Sequence, residues 1–226
     1  MFEQKKQNRA NKARNLDDAN VSRALWDAEK GMAEIIVRSG KIWNTTGVTR
    51  FGLLLCHIEE VVFLMEQRNI TVMSGEDIMT VQDAYSLLTV AEYGCSWDAY
   101  LVYAYLKRLG YILKRNGIPW TLSKKTVESM SRSSEGNSSA DNQGAVNPDL
   151  TLRLMFDVYP PNGCFKKTCP RDPAFHVCVI SDRPPHLREI QACEEGHEGV
   201  PVKFASVVCG HVTLFSINSV QLPELP

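Results

Sequence analysis

No stretch of this sequence approaches the ~20 consecutive apolar residues that a bilayer-spanning helix needs. The opening Met1-Phe2-Glu3-Gln4-Lys5 lacks the apolar core of a signal peptide. Both absences predict a soluble, intracellular chain with no membrane contact. The seven cysteines, at positions 56, 95, 164, 169, 178, 193 and 209, contain no CxxC pair. An odd, scattered set of this kind suits a reducing compartment and predicts free thiols. An excess of one charge is missing too: 25 Lys and Arg stand against 26 Asp and Glu, a formal net charge of -1. Bulk electrostatics therefore give no pull toward nucleic acid, and any RNA affinity has to come from local patches. What is present is a 44% hydrophobic, 23% charged composition, sufficient to pack one or two domains.

The clearest pattern is Ser96 to Gly117, SWDAYLVYAYLKRLGYILKRNG. Leu101, Val102, Tyr105, Leu106 and Leu109 recur at helical spacing, and Lys107 and Arg108 close the helix at its dipole-negative end. Gly110 is placed for a left-handed C-terminal cap. Tyr111, Ile112 and Leu113 are strand formers, and Asn116-Gly117 suits a tight turn. Upstream, Leu53 to Cys56 reads as a short strand, and Ile58 to Glu66 as an amphipathic helix with Glu59, Glu60 and Glu66 mostly in water. Ile70 to Val72 reads as a strand, and a helix capped by Thr80 follows. Together these predict a helix-rich N-terminal domain with a β-hairpin over residues 21–122, for which a winged-helix-like arrangement is one reading. Residues 1–20 form a polar, mildly basic arm, read either as a solvated terminus or as a segment touching RNA. Residues 123–148, rich in Ser, Asn and Gly, read as a flexible linker.

Residues 149–226 read as a small mixed α/β domain, giving the whole chain an α+β class. Leu150, Leu152, Leu154, Phe156 and Val158 alternate with Thr151, Arg153, Met155 and Asp157, the pattern of a half-buried strand. Three more strands are expected at Phe175–Ser181, Val202–Cys209 and His211–Ile217, with a helix near His186–Cys193. Cys164, Cys169, His176 and Cys178 are a possible zinc set by residue type, but their spacing is atypical, and no metal or other cofactor is expected.

Three segments carry a family resemblance. YAYLKRLGYILKRNG, preceded by VQDAYSLL, is similar to the segment Y-x-VY-x-YLKRLGY-x-V-x-R-x-G of the Sen54 subunits of the eukaryotic tRNA-splicing endonuclease. Gly40-Lys41-Ile42-Trp43-Asn44-Thr45-Thr46-Gly47 is similar to their GK-x-W-x-T-x-G signature, and VPVKFASVVCGHVTLFSI to their C-terminal strands. Where Pro-Glu-Glu is usual in the family, the chain has His57-Ile58 before its two glutamates, Glu59-Glu60, and its linker is short, as in a plant-like form.

The resemblance implies a nuclear, non-catalytic structural subunit. Its implied partners are a Sen2-type cutting subunit, Sen34-type and Sen15-type subunits, and pre-tRNA through the complex. It also implies an endonuclease-like fold for the C-terminal half. Active subunits of this family use a tyrosine, a histidine and a lysine to drive attack of a ribose 2′-OH on the adjacent phosphate, leaving a 2′,3′-cyclic phosphate; base, acid and cation suit those roles. Tyr159, His176 and Lys203 are the residues here nearest those positions. His176 lies across an insertion, and Lys203 sits about one residue from its place, where a one-residue slip turns a strand side chain to the other face. They are read as degenerate candidates. An active tRNA-intron nuclease using all three, and a winged-helix-like nucleic-acid adaptor, are the alternatives. Lys107, Arg108, Lys114 and Arg115 are the RNA-contact candidates, balanced against a solvated face. Val212, Leu214, Phe215 and Ile217 are the candidates for strand addition to a partner.

Overall fold

The computed structural model describes residues 20–122, 152–180, 185–195 and 199–217. The expected arm before residue 20 and the expected linker lie outside the described residues. Among the described residues are twelve strands and four α-helices, an α+β protein as its sequence predicts.

Seven strands form the first sheet: β1 (Ser22–Asp27), β2 (Met32–Val37), β3 (Val48–Arg50), β4 (Leu53–His57), β5 (Ile70–Ser74), β6 (Asp77–Ile78) and β8 (Thr121–Leu122), in the order β6-β5-β1-β2-β4-β3-β8. The expected helix-rich, winged-helix-like arrangement gives way to this sheet. The unforeseen hairpin is β1–β2, whose inward residues Ala24, Trp26, Ala33 and Ile35 are buried. Helix α1 (Ile58–Glu66) packs on β4 and β5 and is buried from Ile58 to Met65, so it is not the one-sided helix its pattern suggested. Glu59 and Glu60, expected in water, are buried as well. Helix α2 (Val81–Leu87) is capped as expected, with Thr80 Oγ1 accepting from Asp83 N–H at 3.2 Å.

The second sheet contains β7 (Ile112–Arg115), β9 (Leu154–Tyr159), β10 (Phe175–Ile180), β11 (Val202–Val208) and β12 (His211–Phe215), in the order β12-β11-β10-β9-β7. Strands β10 and β11 run parallel, and helix α4 (Leu187–Glu195) lies between them in the chain. Ile190 of that helix packs with Cys178, Ile180, Val202 and Phe204. Helix α3 (Trp97–Arg108) supplies Tyr103, whose ring lies 5.7 Å from that of Phe156. Strand β9 is consequently buried on both faces at Phe156, Asp157, Val158 and Tyr159, rather than half-buried, as befits a strand inside a sheet.

The buried face of α3 also differs from the expected stripe. Tyr100, Val102, Tyr103 and Leu106 are inside, whereas Tyr105 and Leu109 are 39% and 53% exposed. Gly110 ends the helix as predicted, at φ +89, with Gly110 N–H bonded to Lys107 O and Tyr111 N–H to Leu106 O, the paired bonds of a Schellman cap.

Two compact units result, and neither is a continuous segment. Among the described residues, the first takes 20–100, 119–122 and Gly163–Pro170; the second takes Leu101–Ile118, 152–162, 171–180, 185–195 and 199–217. Strand β7, expected to finish the N-terminal domain, instead pairs with β9.

Candidate functional site

In the second unit the strand register decides the fate of Tyr159, His176 and Lys203. Registered partners share a face, and successive residues alternate. His176 is registered with Asp157 on β9 and with Val202 on β11. Tyr159, two residues past Asp157, falls on the His176 face. Lys203 is registered with Val177 and therefore lies on the opposite face, where its Nζ sits 4.6 Å from the centre of the Phe175 ring. The sheet does not bring the three together.

His176 is itself enclosed, at 6% exposure, as is Tyr159 at 4%. Its Nδ1 lies 2.7 Å from Asp157 Oδ1. Asp157 is the hub of this cluster: Lys114 Nζ is 2.5 Å from its Oδ2, and Asn116 Nδ2 donates to Oδ1 at 2.7 Å. A buried carboxylate is tolerable when a cation and hydrogen-bond donors surround it, and here one cation, one amide and one imidazole converge on it. Sequence reasoning placed Asp157 on the polar side of an alternating strand and missed its role. The available signal was one charged residue in the otherwise apolar and aromatic run Phe156-Asp157-Val158-Tyr159.

The RNA-contact candidates are not one patch. Lys114 is spent on Asp157, with its side chain only 12% exposed. Arg115 follows it on β7 and points to the other face. Lys107 and Arg108 are successive helix residues about 100° apart; Arg108 is exposed and Lys107 half-buried. The partner-interface candidates lie on or next to β12, the strand at one end of the sheet order. Val212 and Leu214 are half-buried there, as is Ile217 just beyond the strand, and Phe215 is 36% exposed.

No group of three or more His, Cys, Asp or Glu side chains is placed to hold a metal ion among the described residues. Cys164 and Cys169 are exposed and Cys178 is fully buried. Burial, helped by the neighbouring Cys193 thiol, pushes the Cys178 thiol up to about 12.

In the first unit the Gly40–Gly47 signature has a mechanical explanation. Trp43, in a short 3-10 turn over Ile42–Asn44, donates from Nε1 to Ser39 O at 3.0 Å and to the buried Ser22 Oγ at 3.1 Å. Gly47 has φ +78, and a Cβ there would lie 2.9 Å from Leu55 O. Its N–H donates to Glu60 Oε1 at 2.7 Å, and His57 N–H donates to Glu60 Oε2 at 3.0 Å. Burial alone would raise the Glu60 pKa, but His57 and these two N–H groups hold it below the ordinary carboxylate value. The glutamate expected on a solvated helix turn is thus the bolt between that turn and the signature loop.

Residues 8–74 match the family model described as tRNA-splicing endonuclease subunit sen54 N-term. The mouse protein tRNA-splicing endonuclease subunit Sen54 is 36% identical over 92 residues, which cover 41% of this chain and 17% of the mouse protein. The Eremothecium gossypii protein tRNA-splicing endonuclease subunit SEN54 is 32% identical over 115 residues, covering 46% of this chain and 25% of that protein. The matched segments thus span a quarter or less of these relatives' length. The similarity to Sen54 subunits is the one the sequence motifs led us to expect.

Proposed function

We propose that this chain, whose residues 8–74 carry the Sen54 N-terminal family sequence, is a non-catalytic structural subunit of a tRNA-splicing endonuclease. In this role it resides in the nucleus and pairs with a Sen2-type cutting subunit, alongside Sen34-type and Sen15-type subunits, to hold pre-tRNA for cleavage at the intron boundaries. The observation that carries the non-catalytic part is the β10–β11 register, which sends Lys203 to the face away from Tyr159 and His176. Base, acid and cation have to converge on one phosphate to act together, and residues on opposite faces of a sheet do not. The enclosure of His176 against Asp157 supports the same reading. Strand β12, with Leu214 and Phe215, supplies an edge suited to pairing with a partner strand.

The test is single-turnover cleavage of an intron-bearing pre-tRNA by the complex reconstituted with a Sen2-type partner. With His176→Gln and Lys203→Ala combined, cleavage should be unchanged. Loss of cleavage with the complex still assembled would return the chemistry to this chain.

A further inference from the structure

We propose that the cavity between the Trp43–Asn44 turn and the Gly163–Lys167 loop is a contact site for the phosphodiester backbone of RNA, with Lys166 as its cation. This rests on the role proposed above and names the surface through which this subunit touches its RNA. The cavity measures about 420 Å³ and belongs wholly to the first unit. Its lining contains two lysines and no carboxylate, in a chain whose net charge is -1. A local cationic recess is what a chain without an overall positive field needs in order to hold a polyanion.

The two lysines have different work. Lys167 is turned to the protein: its ammonium donates to Thr46 O and lies 5.7 Å from the centre of the Trp120 ring, while the Phe165 ring packs edge-on against the same tryptophan at 5.4 Å. These contacts fix the loop on the floor made by the buried Trp43. Lys166, between the two anchored residues, is exposed at the cavity. A lysine on an anchored loop gives up less freedom on meeting a phosphate than one on a loose arm. Asn44, also exposed, brings an amide that both donates and accepts, the equipment for a ribose hydroxyl beside that phosphate. Phe165 is engaged with Trp120, so the recess grips backbone rather than stacking a base, and it carries no sequence preference.

The experiment is fluorescence anisotropy of labelled pre-tRNA against the complex containing the full chain, across a series of salt concentrations. Lys166→Ala should weaken binding and lower the slope of log affinity against log salt by about one, the signature of one lost phosphate contact. Lys166→Glu should weaken it further, and Lys166→Arg should restore both readings. Arg23→Ala, which removes an exposed cation of β1 outside the cavity lining, should change neither. If Lys166→Ala binds with wild-type affinity and slope in an assembled complex, the site is wrong while the subunit role stands. If the chain enters no such complex, the subunit role fails, and the same titration on the chain alone decides the site: binding that depends on Lys166 upholds it, and binding that does not, or no binding, overturns it.

Discussion

Removing the carboxylate of Asp157 should destabilise the second sheet. Asp157→Leu keeps the approximate volume but removes the shared acceptor of three groups at once: the Lys114 ammonium, 2.5 Å from Oδ2, and Asn116 Nδ2 and His176 Nδ1, each 2.7 Å from Oδ1. Asp157 is 5% exposed and the Lys114 side chain 12%, so water offers little relief. Breaking a buried pair from one side costs about 3–5 kcal/mol, because the remaining charge has no partner. In a chain of this size 1 kcal/mol moves Tm by about 2–4 °C, which predicts a fall of about 6–20 °C. The double variant Asp157→Leu with Lys114→Met separates this cause from simple misfit, since replacing both partners by apolar groups is often close to neutral. Thermal unfolding, followed by circular dichroism and by hydrogen exchange at β9 and β10, should show the double variant more stable than the single one. A single variant within about 1 kcal/mol of wild type, or a double variant no better than the single, would refute the reasoning.

Glu60 gives a stability that depends on pH. Its folded pKa lies below the ordinary value of 4.5, so its contribution is complete above about that pH and drains away as pH falls through the folded value. Glu60→Gln should cost about 1–3 kcal/mol at neutral pH, by leaving a buried N–H mismatched, and urea midpoints of the two proteins should converge in acid. Gly47→Ala should destabilise more than Gly110→Ala: both positions have positive φ, but at Gly47 the new Cβ also meets Leu55 O at 2.9 Å, whereas at Gly110 the nearest atom is 3.6 Å away. About 1 kcal/mol is expected for the backbone alone at Gly110, read from denaturant midpoints.

The parts of this fold written in local chemistry were legible. The Thr80 cap, the Gly110 stop and the strands near residues 175–180, 202–208 and 211–215 follow from neighbours a few positions apart. The parts set by distant pairings were not. Ile112 to Arg115 reads as a strand on its own residues, but nothing local says that it pairs with β9, more than forty positions away. The expected α3 row was half right: Val102 and Leu106 are buried, Tyr105 and Leu109 are not, and nothing local says that Tyr103 turns inward to meet Phe156, more than fifty positions away. Glu60 looks solvated beside Glu59 until the Gly47 amide, thirteen residues away, arrives to receive it. The candidate site suffered in the same way. The one-residue doubt at Lys203 can be stated from the sequence, but the face it takes depends on its register with Val177 on a neighbouring strand.

The threading of the chain through its two units has a consequence for how the protein can be divided. A cut between residues 122 and 152 yields two pieces, neither of which contains a finished unit. The front piece carries β7, which β9 in the rear piece needs as a neighbour; the rear piece carries Phe165 and Lys167, which pack on Trp120 in the front one. Such fragments are complements rather than domains. Expressed together they should find each other as a split reporter does, and expressed singly each should be left searching for its missing strand or strap.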